Sequence, residues 1–170
     1  MTPWITGPIQ IEREVLMAIR AHAKEAYPSE CCGFASGPEA APLLVDASVR
    51  EVNEADRYHR LDPEGFPRTS REYFKINELR ATKAFARAAS EGRPIKVIYH
   101  SHCDAGDYFS EEDAATFAQQ CSLMWPCAFI VVSVMRGEPV SERCWVHEPG
   151  TNSFTEAALV VQDGSPAPRD

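Results

Sequence analysis

Two nearly unbroken apolar runs, Ile95–Tyr99 (IKVIY) and Phe129–Met135 (FIVVSVM), set the terms on which this chain can fold. Runs so short and so apolar read as strands buried in a core, and such strands need layers on both faces to keep water away. Helical patterns elsewhere supply those layers. Glu12–Ala26 carries Val15, Leu16, Ile19, Ala23 and Ala26 along one helical face; Glu12 and Glu14 suit its first turn, and Pro28 stops it. Arg71–Glu91 reads as a second helix, with Ser70 as its N-cap and Gly92 and Pro94 beyond its end. A third helix is expected from about Glu111 to Gln120. Shorter strands are expected over residues 8–11, 32–35, 43–45 and 48–49. Tyr58-His59-Arg60-Leu61 alternates like another strand before the turn Asp62-Pro63-Glu64-Gly65. After the second apolar run, turns lead into Glu142–His147 and Phe154–Val161, completing an antiparallel meander. The order predicts an α/β (α+β) domain over residues 1–161, with a central mixed β-sheet flanked by helices. Residues 162–170, polar and proline-rich, are expected to be a disordered tail.

The charge of −8, with no cluster of Lys or Arg, gives the chain little to offer a phosphate backbone, so nucleic-acid binding is not expected. No window reaches the ~20 apolar residues of a membrane span. The first residues lack a basic stretch followed by an apolar one, so a cytoplasmic setting with reduced thiols is expected. The six cysteines also lack the paired spacing of a structural zinc site and read as small buried hydrophobes. Cys103 is the one with a possible further role.

His100 and His102 follow the first buried run directly. At i and i+2 on extended backbone they point to the same side, where both imidazoles can meet one ion. Asp113, near the start of the next helix, can add a carboxylate oxygen. Two histidines and one carboxylate leave a fourth tetrahedral position open, which marks a catalytic rather than a structural zinc site. A chance His-x-His-x7-Ser-x2-Asp would occur in roughly one chain in two thousand of this composition, a low false-positive risk. Ser110 has two readings that compete for one hydroxyl: cap of the helix, as S-x-x-D suggests, or donor to a tetrahedral oxyanion.

Tyr99-His100-Ser101-His102 followed by Ser110-Glu111-Glu112-Asp113 resembles the signature of the JAMM/MPN metallopeptidases, in their short prokaryotic form. Pro28-Ser29-Glu30-Cys31-Cys32-Gly33 is similar to the family's second motif, Pro-x-Glu-x-x-Gly. The resemblance spans residues 8–161 and implies an MPN, cytidine-deaminase-like fold. It implies zinc on His100, His102 and Asp113, Glu30 as general base, and Ser110 at the oxyanion. From the residues alone Glu30 would read as a solvated carboxylate. One departure stands out: many members carry proline where Cys103 sits. Its thiol is open to two readings, a small residue tolerated in the loop or a redox-sensitive group beside zinc. Tyr108 and Phe109, in the following loop, are candidates to grip substrate or to pack the loop.

The resemblance further implies cleavage after the C-terminal Gly-Gly of a ubiquitin-like or sulfur-carrier (β-grasp) protein, in a peptide or an isopeptide bond. The extended tail would add along an exposed sheet edge, and residues 53–70 would form a flap. Two rivals remain: a zinc amidohydrolase acting on a small molecule, and a catalytically silent MPN scaffold. Tyr58-His59 and the second helix are left open between substrate contact and a homodimer interface.

Overall fold

The computed structural model describes residues 2–164. After a short 3-10 turn, the elements in chain order are β1 (Ile9–Glu12), α1 (Arg13–Ala26), β2 (Cys32–Ser36), β3 (Leu44–Val45), β4 (Ala47–Glu51), α2 (Ala55–Leu61) and α3 (Glu78–Ser90). They continue with β5 (Ile95–Cys103), α4 (Glu111–Phe117), β6 (Ala118–Gln119), β7 (Ser122–Leu123), β8 (Ala128–Met135), β9 (Glu138–His147), β10 (Phe154–Ala157) and β11 (Leu159–Gln162). Six strands form a mixed sheet in the order β10-β9-β8-β5-β2-β4, in which only β5 and β8 run parallel. A parallel three-stranded sheet, β11-β1-β3, stands beside it.

The two apolar runs are the paired centre of the large sheet, and strand alternation divides their side chains between two cores. Val97, Tyr99, Ile130, Val132 and Val134 face α1, whose Val15, Leu16, Ile19 and Ala23 cover them. Ile95, Ile98 and Phe129 face the other way, against Ala81 of α3, Phe117 of α4, and Phe74 and Ile76. The expected class holds: a mixed sheet flanked by helices.

Several local expectations fail, each for an identifiable reason. Residues 71–77 are not helical. Asn53 accepts from the Lys75 N–H and donates to the Tyr73 carbonyl, and the Lys75 carbonyl accepts from the Glu54 N–H, so this stretch is tied down as extended chain. The helix begins instead where Asn77 takes the Arg80 N–H as its N-cap. Tyr58–Leu61 belongs to helix α2, not to a strand; four residues are too few to separate the two periods. The third helix stops at Phe117, because Ala118–Gln119 turns back on Ser122–Leu123 through Gln120 and Cys121, both at positive φ. The expected strand 154–161 is two: β10 completes the meander, and after Ala158 the chain crosses to pair β11 with β1. Gln162 thus ends a strand opposite Glu12, and Asp163 pairs with Arg13; the rest of the expected tail, from residue 165, lies outside the described residues.

Gly33 shows how tightly this sheet is built. Tyr99 lies across it, buried, with its hydroxyl 2.8 Å from Nδ1 of His22 on α1. A methyl group at Gly33 would overlap the Tyr99 ring and hydroxyl and the Val49 carbonyl. Neither backbone nor an anchored ring can give way cheaply. Gly33→Ala should therefore destabilise the fold by roughly 1–3 kcal/mol in denaturant melts; an unchanged midpoint would show that Tyr99 is free to move.

Candidate metal centre

His100 and His102 sit on the β5 face that looks toward α4, and His100 stacks on Phe74 with ring centroids 4.2 Å apart. Asp113 enters from the first turn of α4. Nε2 of His100 and Nε2 of His102 stand 3.2 Å apart, and Oδ2 of Asp113 lies 3.1 Å from the first and 3.3 Å from the second. A tetrahedral ion with bonds of about 2.0–2.1 Å spaces its ligand atoms about 3.3–3.4 Å apart. The three buried groups fit such an ion.

The surroundings fix the ligand atoms. Nδ1 of His102 lies 2.7 Å from the Gly106 carbonyl, so that nitrogen carries the proton and Nε2 keeps its lone pair for the centre. The loop that supplies Gly106 is held by Asp107, whose carboxylate accepts from Arg143 and whose carbonyl accepts from Trp145. Nδ1 of His100 is buried with no hydrogen-bond partner among the described residues. Burial lowers the His100 pKa below its ordinary value, despite Asp113. Burial pulls the same way on His102, but the bonds and charges of Asp113, Glu30 and the Gly106 carbonyl outweigh it and raise its pKa. Burial also opposes ionisation of Asp113, yet the two imidazoles hold its carboxyl well below the usual range.

Ser110 is the N-cap of α4, and its two expected roles turn out to be compatible. Its Oγ accepts from the Asp113 N–H at 3.0 Å, while its own N–H donates to Oδ2 of Asp113 at 3.0 Å. The cap occupies a lone pair and leaves the hydroxyl proton free. A cavity of about 510 Å³ opens over the triad; Glu30, His102, Cys103, Tyr108, Ser110 and Asp113 line it together with Arg68, Arg71, Glu72 and Glu112. Phe109 is placed differently. It packs on Phe129 and Phe154 in the core, so of the two aromatics only Tyr108 faces the cavity. Cys103 is not one of the three clustered ligands. Burial, with Glu30 nearby, pushes its thiol up to about 12.

Glu30 precedes β2, whose Cys32 pairs with His100, and this register carries the carboxylate to the triad. Burial comes first, and Asp113 and Glu112 add to it against the pull of His102; together they push the Glu30 carboxyl up to about 8. Its backbone is clamped on both sides. The Glu30 N–H donates to the Ser70 carbonyl at 2.7 Å, and its carbonyl accepts from Asn53 at 2.9 Å. Asn53 makes four hydrogen bonds in all, to Glu30, Tyr73, Ala55 and Lys75. Asp56 in turn accepts from both the N–H and the hydroxyl of Ser70, at 2.8 Å each. Sequence reading missed Asn53 and Asp56 and gave Ser70 the wrong task. An Asn two residues before Ala55 was the available signal, had residues 55–61 been read as a helix.

A mixed sheet with this triad at the end of a central strand defines a domain able to hold a metal. The chain belongs to the prokaryotic homologs of the JAB domain, whose family profile matches residues 12–148. The solution structure of a Desulfitobacterium hafniense protein is similar, with a TM-score of 0.68 at 19% identity over 94% of this chain and 96% of that one. A Salinibacter ruber protein gives 0.61 at 25% identity over 95% and 96%. A domain described as JAMM, a metalloprotease-like zinc site in the proteasome and signalosome, gives 0.51 at 20% identity over 92% and 100%. No curated protein sequence matches the chain.

Two outcomes follow. Asn53→Ala strands two backbone N–H groups and two carbonyls, and should cost about 1–3 kcal/mol of stability in denaturant melts. In chelator-treated protein the folded Glu30 stays protonated up to about pH 8, whereas its ordinary value is 4.5. The folded state then holds the extra proton, so stability falls as pH rises from 4.5 to 8. Metal-free Glu30→Gln should match wild type near pH 4.5 and exceed it increasingly toward pH 8; parallel curves would refute the assignment.

Proposed function

We propose that this domain is a zinc-dependent peptidase that hydrolyses the bond after the C-terminal Gly-Gly of a ubiquitin-like or sulfur-carrier protein. The observation that carries the reading is the placement of a buried carboxylate, Glu30, in one cavity with three converging ligand atoms. A zinc ion held by His100, His102 and Asp113 would supply acidified water and polarise a carbonyl. The chain's own residues supply the rest. The Glu30 carboxylate takes the proton of the attacking water and later delivers it to the leaving amine. The Ser110 hydroxyl proton, free of the cap, donates to the oxygen that becomes negative. Gly106 keeps His102 in the tautomer that binds metal. A catalytically silent scaffold would have no use for a buried carboxylate kept at such a cost.

The size of the cavity favours one other reading. About 510 Å³ falls within the range of small-ligand pockets, so a small-molecule amide is the alternative substrate.

His102→Ala should lose metal and activity together, measured by metal analysis and turnover. Glu30→Gln should retain one zinc and lose about 10²–10⁴-fold in kcat; normal turnover would remove Glu30 from the mechanism. The first experiment is an intact-mass assay on small β-grasp proteins extended beyond a C-terminal Gly-Gly, with chelated enzyme as control. Metal-dependent loss of the extension is the expected result. Cleavage of small amides alone would replace the protein substrate with the alternative.

A further inference from the structure

The carbonyl that holds His102 belongs to Gly106, which has no side chain to hold it in turn. It lies in the plane of the peptide bond into Asp107, so it turns whenever Asp107 turns. The loop leaving β5 is tied to two different strands. Its first half is tied to β8: the Asp104 N–H donates to the Val134 carbonyl at 2.7 Å, and the Ser133 hydroxyl donates to the Ala105 carbonyl at 2.6 Å. Its second half is tied to β9 through Asp107.

Asp107 is buried and held at both ends. Its carboxylate accepts from Nε of Arg143 at 2.7 Å, and its carbonyl accepts from Nε1 of Trp145 at 2.9 Å. Arg143 and Trp145 stand two residues apart on β9, hence on one face of the strand, and the guanidinium lies 5.1 Å from the centre of the Trp145 ring. Burial opposes ionisation of Asp107, but Ser141 and Arg143 outweigh it and keep the carboxyl below its ordinary pKa. The contact therefore joins two full charges. Glu156 reaches Nη1 of Arg143 at 3.5 Å, as a looser and more exposed partner.

A path of contacts thus runs from β9 to the metal centre. It leads from Arg143 to Asp107, through one peptide bond to the Gly106 carbonyl, and on to Nδ1 of His102, whose Nε2 faces the other ligands. Partners of this kind orient an imidazole ligand and raise its basicity, although they touch no metal themselves.

We propose that Arg143 is a positioning residue for His102, and that through Asp107 and Gly106 it sets how tightly the three-ligand site holds its metal. This role rests on the zinc-binding part of the reading above, not on the identity of the substrate. His102 is carried by β5 and adjusted from β9, a strand that does not pair with β5.

The experiment is a competition for zinc between the protein and a chelating indicator. Arg143→Gln should weaken zinc binding about 10–100-fold, the range expected when such a supporting partner is removed. Arg143→Lys keeps the charge and should recover part of the loss. Asp107→Asn, which keeps an oxygen acceptor for Arg143 without the charge, should show the same loss in milder form. Glu156→Gln removes only the looser partner and should leave the affinity near that of wild type. Because both residues act along one path, Asp107→Ala/Arg143→Gln should bind zinc no more weakly than Asp107→Ala alone. A mere packing role for Arg143 would not move a second readout: in zinc-loaded protein the Nδ1–H of His102 should give a slowly exchanging NMR signal that broadens in Arg143→Gln. An affinity unchanged by Arg143→Gln, additive losses in the double variant, or an Nδ1–H signal indifferent to Arg143 would each overturn the inference. Wild-type protein that takes up no zinc would remove the metal reading and the inference together. Arg143-dependent zinc affinity in a protein without peptidase activity would support the inference and sink the peptidase reading alone.

Discussion

The site depends on the pairing of β5 with a different partner on each side. Toward β8 the pairing is parallel along Val97 to Cys103, and the strand is buried as far as His102. Toward β2 it is antiparallel, with Cys32 opposite His100. The first contact makes β5 rigid enough to hold two imidazoles at a fixed spacing. The second determines which residue stands beside them, because the chain entering β2 must pass the end of β5. A one-residue slip in either ladder would turn His100 and His102 into the α1 core and bring Tyr99 and Ser101 to the cavity. Tyr99 resists that slip directly: it lies across the only position in β2 that lacks a side chain, and is anchored to His22. Ser101 resists it as well, by accepting the Cys31 N–H at 2.8 Å.

Environment gives the two carboxylates of the cavity opposite characters. Asp113 and Glu30 are both buried, and burial alone would raise both. Asp113 escapes because two imidazole nitrogens and the Ser110 N–H converge on Oδ2. Glu30 has no comparable donor among the described residues, so desolvation wins. Such a divergence lets two neighbouring carboxyls in one cavity differ in protonation.

These relations were unequally legible in the sequence. The central strands and the His-x-His pair could be read because a period of two and an unbroken apolar run are local signals. Asp113 followed from its capping position, which is local too. Glu30 was different: only the resemblance of Pro28–Gly33 to a known motif singled it out, since its burial arises from contacts with residues 53–75. In that segment the turn at Asp62–Gly65 was read correctly, but the helix over 55–61 and the extended stretch 71–77 were not. Asn53 bonds residues twenty or more positions away, and Asp56 bonds Ser70 fourteen positions on, so propensity at either end carried no trace of the partner. Phe74 and Ile76 fitted a helical face in the sequence, but they reach the core from extended chain.

The same segment explains why the cavity can be specific without any change in its metal ligands. Through Ser70 and Asn53 it holds the backbone of Glu30; within two residues of Ser70 it lines the cavity with Arg68, Arg71 and Glu72. The anchors are backbone carbonyls and two side chains, Asn53 and Asp56, whose bonds run along the inner edge of the segment. Arg68, Arg71 and Glu72, which line the cavity, carry none of these bonds. Substitutions at 68, 71 or 72 can therefore alter the lining of the cavity while Glu30 keeps its place. Substitutions at 53, 56 or 70 would move Glu30 itself. The lining of the cavity and the placement of Glu30 are thus separable at the level of single side chains, although one continuous stretch of chain provides both.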